Sequence, residues 1–138
     1  MNARDHNERL TGFQEVLNED FPDLSICPVL HGQDNAEIVE AEIQTALRNN
    51  TVISAVYNVG AGNRGLARAL ESCSASPFCV AHKLVDHSRS ALLDRTFDIV
   101  IDQRPEEEVS AALNPLRLLA DGRPVPPRDP ILPTISRP

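Results

Sequence analysis

"YNVGAGNRGLARALES", residues 57–72, places three of the chain's six glycines, Gly60, Gly62 and Gly65, within six positions. Asn58 and Asn63 sit among them. The run "TVISAVYN", residues 51–58, leads in and is β-branched, apolar and continuous. Such a run reads as a buried parallel strand. Leu66, Ala67 and Leu70 follow at helical spacing. A strand, a glycine turn and a helix in succession form half of a βαβ unit. The turn has three readings at this point: a phosphate cradle, a sugar-contacting turn, or a tight strand-to-helix connection.

The flanking sequence repeats the alternation. Leu10, Phe13, Val16 and Leu17 mark a helix over 7–18, ended by Pro22. "LSICPVL", residues 24–30, reads as a short strand that Pro28 moves toward an edge. Ile38, Ala41, Ile43 and Leu47 mark a helix over 35–48 with Asp34 or Asn35 as its cap. "PFCVAH", residues 77–82, is another strand. Asp86 can cap a helix that holds Leu92 and Leu93. "TFDIVIDQ", residues 96–103, is a strand, and "RPEEEVSAALNPLRLLADG" a helix. Pro105 suits its first turn and Gly122 its end. Pro115 should kink it or remove a hydrogen bond. The Pro-rich tail from Arg123 to Pro138 has room for one short strand at "PILPTIS".

This order predicts an α/β fold with a doubly wound, mostly parallel sheet. Ligands of such sheets bind at the carboxyl ends of the strands. The loops after Leu30, Asn58, His82 and Gln103 are therefore expected on one edge. Residues 1–122 are expected to form the folded unit and 123–138 an extended tail.

Composition removes several functions. The 138 residues carry 13 basic and 20 acidic side chains, a net charge of -7. Without a basic stripe, direct nucleic-acid contact is not expected. No apolar run is long enough for a membrane span. Cys27, Cys73 and Cys79 form no CxxC pair, and read as reduced, buried thiols of a cytoplasmic protein. His82 and His87 lack a third ligand at useful spacing, so no metal is expected. No nucleophile–base set stands out, so neither enzyme activity nor a cofactor is expected.

The glycine turn contains G-x-G-x-x-G, but no Lys-Ser or Lys-Thr pair follows, which excludes a P-loop. A dinucleotide fingerprint wants an acidic residue about 20 positions on; the chain has Phe78 and Cys79 there. Asn58 and Asn63 suit hydroxyl groups better than phosphates, because an amide both donates and accepts.

"ERLTGFQEVL", "VYNVGAGNRGLARALE" and the stretch from Cys79 to Gly122 resemble, in order, the effector-binding domain of the lactose-repressor (LacI) family of transcription regulators. The same type I periplasmic-binding-protein fold occurs in secreted sugar receptors. The resemblance implies a sugar-binding lobe without its DNA-binding headpiece, and a homodimer in the parent protein. The alternative is part of a transporter's sugar receptor. By position, Arg9, Asn58 and Gln103 match ligand contacts, with Asn63 and His82 beside them. Lys83 departs from the family, which commonly has an acidic residue there. A lysine only donates, so either the ligand carries an anionic group, as an acidic sugar does, or the site no longer functions; an acidic sugar is the expectation. The resemblance also implies that a strand feeding the first helix is missing. In that family the long return helix and the terminal strand also pack on the other lobe, so the resemblance implies that Leu113, Leu116, Leu118, Leu119 and Ile131 are exposed here, and two copies could close the strand gap.

Overall fold

A computed structural model describes residues 4–49, 52–74 and 76–138. Its elements run α1 (Arg4–Asp20), α2 (Ala36–Asn49), β1 (Ala55–Tyr57), α3 (Asn63–Ser72), β2 (Phe78–His82), α4 (Asp86–Leu93), β3 (Ile99–Asp102), α5 (Pro105–Ala120) and β4 (Thr134–Ser136). The four strands form one sheet in the order β1-β2-β3-β4. The first three are parallel, with Tyr57 beside Val80 and His82 beside Ile101. The tail returns β4 antiparallel to β3. The α/β class and the mostly parallel sheet therefore agree with the sequence. The predicted first residue of the second strand, Thr51, lies outside the described residues.

Side chains alternate across a sheet, which divides its faces. Cys79, Ala81 and Val100 are fully buried against Leu66, Ala69, Leu70, Ala91, Leu92 and Phe97. Helices α2, α3 and α4 supply this core, with Ile43 and Leu47 from α2. Burying a large aliphatic or aromatic side chain contributes about 1.5–3 kcal/mol, so this face carries most of the stability. The opposite face presents Tyr57, Val80, His82 and Ile101. Helix α1 lies over it, with Phe13 and Tyr57 rings 4.7 Å apart.

The glycine turn follows from this packing. Gly62 adopts φ 90° before α3, a conformation glycine takes without steric cost. At Gly65 a Cβ would meet the Ala36 carbonyl oxygen at 1.9 Å. Helix α3 crosses the start of α2 with backbone almost touching backbone. Asn35 caps α2: its Oδ1 accepts the N–H groups of Glu37 and Ile38 at 2.9 and 3.1 Å. At α4 the capping comes from Ser88, whose Oγ accepts the Val85 N–H at 2.9 Å, while Asp86 is the first helical residue.

Two expectations need correction. Residues 24–30 are exposed and form no strand. A strand exists only where a neighbour completes its ladder, and none of the described strands runs beside this segment. Cys27 is consequently exposed rather than buried, whereas Cys79 is buried and Cys73 intermediate. Helix α5 runs from Pro105 to Ala120 through Pro115 without interruption. A proline at 115 cannot donate to the carbonyl four residues earlier, that of Ala111. Arg128 Nη1 from the tail donates to that oxygen instead, at 2.7 Å.

Candidate functional site

The carboxyl ends of β1, β2 and β3 place the expected residues along one sheet edge. Asn58 follows β1, His82 ends β2, Lys83 comes next, and Gln103 follows β3. The Lys83 backbone N–H donates to the Ile101 carbonyl at 3.0 Å, which holds the β2 and β3 exits side by side. The predicted exit after Leu30 is not part of this edge, because 24–30 is not a strand.

Two asparagines tie the first two exits together. Asn58 Nδ2 donates to Asn63 Oδ1 at 2.6 Å, and Asn58 Oδ1 accepts the Gly60 N–H at 3.3 Å. Asn63 Nδ2 donates to the His82 carbonyl at 2.7 Å. Asn63 is buried, and its amide links the glycine turn to the end of β2. Asn58 is half-buried and keeps part of its surface toward solvent.

Arg9 reaches this edge from α1. Its Nη1 donates to the Val59 carbonyl at 2.6 Å, one residue past Asn58. Its Nη2 pairs with Asp5 at 2.7 Å, one helical turn back. The two contacts hold the guanidinium beside the turn and leave it N–H groups to spare, since arginine has five.

His82 is buried against Tyr57, whose hydroxyl lies 2.8 Å from Nε2. Burial first, then the nearby Arg9 and His6, lower its pKa to about 4. The ring is therefore neutral near pH 7. Burial also raises the Tyr57 pKa, with Arg9 opposing, so the phenol keeps its proton. At the far end of β2, burial and then Asp98 push Cys79 up to about 12, which makes it a packing residue and not a nucleophile.

Lys83 is exposed, at φ 69°, and Gln103 is half-buried. Neither side chain has a hydrogen-bond partner among the described residues. Sequence reading missed Asp5, His6 and Tyr57. The Asp5-to-Arg9 spacing of four on one helix was a readable signal; the others depended on how α1 lies on the sheet. Under α1 runs an apolar trough of about 460 Å³, lined by Phe13, Val16, Tyr57, Val80 and Ile101 among others. Among the described residues no three His, Cys, Asp or Glu side chains come close enough to hold a metal ion.

The edge thus offers amides, a guanidinium and an ammonium, the donor-rich set that hydroxyl groups and carboxylates accept from. A model of the periplasmic binding protein domain matches residues 1–124. The chain belongs to the periplasmic binding protein domain family. Solved structures agree on the fold. A solute-binding protein of an Agrobacterium vitis ABC transporter, bound to α-D-tagatopyranose, superposes with TM-score 0.86 at 16% identity, over 96% of this chain and 45% of that one. A sugar-binding protein of a Bacillus halodurans sugar ABC transporter gives 0.85 at 20% identity, over 99% and 51%. A Burkholderia graminis transporter solute-binding protein in complex with D-arabinose gives 0.85 at 20%, over 95% and 47%. This periplasmic-binding-protein-type chain spans about half the length of those three. No curated protein sequence matches it.

Proposed function

We propose that this chain is the sugar-binding lobe of a transporter-type sugar receptor, with its ligand at the carboxyl edge of the sheet. The observation that carries the reading is the convergence of Arg9, Asn58, Lys83 and Gln103, from four separate segments, on one polar edge of a sugar-receptor fold. The sugars bound by the Agrobacterium and Burkholderia proteins support it. They also favour the receptor over the repressor-type regulator, with which the cytoplasmic location would go. Arg9, Asn58 and Gln103 would contact hydroxyl groups. Asn63 and His82 would support the site from behind, since both are buried and bonded within the protein. The chain itself performs no chemistry in this reading: it holds the ligand by hydrogen bonds.

The finer ligand class follows from charge. Asp5 already neutralises much of Arg9, and Arg104 is paired with Glu107. Lys83 is the exposed cation at the β2 exit with no such partner among the described residues. A sugar bearing a carboxylate or phosphate would complete it. Titration of the chain with D-galactose and D-galacturonate, followed by calorimetry, tests both levels. Binding of galacturonate over galactose is expected. Equal binding removes the acidic preference alone, and binding of neither, nor of tagatose or arabinose, removes the sugar reading.

A further inference from the structure

His6 stands three residues before Arg9 on α1, a spacing that puts both on the same side of the helix. Its ring lies over the glycine turn. A Cβ built on Gly60 would meet His6 Cε1 at 2.6 Å and both ring nitrogens at 3.0 Å. Glycine at 60 therefore leaves the space that the imidazole fills. The Gly60 N–H is itself bonded to Asn58 Oδ1, and Arg9 holds the Val59 carbonyl between them. The charge of His6 also reaches His82 at the end of β2. His6 thus sits on the polar edge, close to the exits of both β1 and β2.

Packing alone does not account for a histidine here. The ring is half-buried rather than enclosed. Neither of its nitrogens bonds to a described residue, whereas His82 is bonded to Tyr57. Charge gives it no reason either. The first turns of a helix and a neighbouring guanidinium both disfavour a cation, and the adjacent Asp5 carboxylate is already paired with Arg9. What an imidazole adds at this place is hydrogen bonding. Neutral, it offers one donor and one acceptor; protonated, it offers two donors. Sugar hydroxyl groups donate and accept, and carboxylate oxygens accept.

We propose that His6 is a further ligand-binding residue of this edge, its ring packed on Gly60 and a ring nitrogen bonded to a hydroxyl or carboxylate oxygen of the bound sugar. Helix α1 then supplies two contacts, Arg9 and His6. The inference rests on the sugar-binding reading and adds to it a residue by which the site selects its ligand.

Calorimetric titration of the whole 138-residue chain and three variants with D-galacturonate, D-galactose, D-tagatose and D-arabinose tests it. H6A should weaken whichever of these binds about fivefold, the worth of one hydrogen bond. H6F keeps a ring over Gly60 but cannot bond, so it should weaken binding as much as H6A does. H6Q can donate and accept and should stay within about twofold of the unmodified chain. In a chain labelled with ¹⁵N-histidine, at constant pH, the His6 ring nitrogens should shift saturably with the same midpoint as the Asn58 amide. Three results overturn the role of His6 and leave the sugar reading standing: H6F binding like the unmodified chain, H6Q binding no better than H6F, or ring nitrogens that stay still while the Asn58 amide shifts. If a variant loses its helical circular dichroism, the ring-nitrogen titration decides. An unmodified chain that binds none of the four sugars removes the sugar reading and this inference together.

Discussion

The Asn63 side chain donates to the His82 main-chain carbonyl at 2.7 Å, so the first turn of α3 is fastened directly to the last residue of β2. The same Asn63 accepts from Asn58. One buried amide thereby positions two exits of the sheet. Replacing it with alanine strands the His82 carbonyl and frees the Asn58 amide. We expect N63A to lose about 1–3 kcal/mol of stability, read as a lower midpoint in urea. A change below about 0.5 kcal/mol would show that the link is not structural.

His82 gives the fold a pH dependence of defined sign. Its folded pKa lies near 4, below the ordinary value of about 6.5. Between those values the unfolded chain binds more protons, so stability rises with pH. The His82 contribution is fully present above about pH 6.5 and is lost as pH falls toward about 4, on the order of 2 kcal/mol in all. Denaturant titrations at several pH values should show this slope, and H82Q should flatten it. An equal slope in H82Q would assign the effect to other groups.

Much of the fold could be read directly. The continuous apolar run before the glycines, the Pro105 and Gly122 boundaries and the Asn35 cap all act through neighbours in sequence. The segment from Leu24 to Leu30 could not be placed this way. Its side chains have strand character, but a strand is defined by a ladder partner, and none is present among the described residues. Pro115 does remove a helix hydrogen bond, as read, but the compensating donor, Arg128, was not legible because it lies in the tail. In the site, polar residues at strand ends were legible. Their division into buried supports (Asn63, His82) and solvent-facing groups (Lys83, Gln103) was not, because it depends on how α1 and the turn close over the edge.

Arg128 offers a test of that compensation. R128A removes the donor to the Ala111 carbonyl that Pro115 leaves without its usual partner. The site is exposed, so the expected loss is modest, about 0.5–1.5 kcal/mol. In the P115A background the helix bond can re-form and R128A should cost less. A double-mutant cycle checks this; strict additivity would argue against the coupling.

The glycine turn should tolerate no side chain at two positions. G65A forces a Cβ toward the Ala36 carbonyl and should cost about 1–3 kcal/mol, because backbone must move. G62A meets its cost through φ 90°, about 1–2 kcal/mol. Unfolding midpoints of the two variants measure both. A neutral G65A would mean that α2 and α3 can separate freely.

The central claim is that a sugar binds at the carboxyl edge of this sheet. The most direct measurement is a two-dimensional ¹⁵N–¹H titration of the chain with D-galacturonate, up to about 50 mM. The account predicts saturable shifts at the Asn58, Gly60, Lys83 and Gln103 amides and in the Arg9 guanidinium, with L113 and its neighbours on α5 unmoved. No saturable shift at those positions for galacturonate, tagatose or arabinose, or shifts confined to another surface, would contradict it.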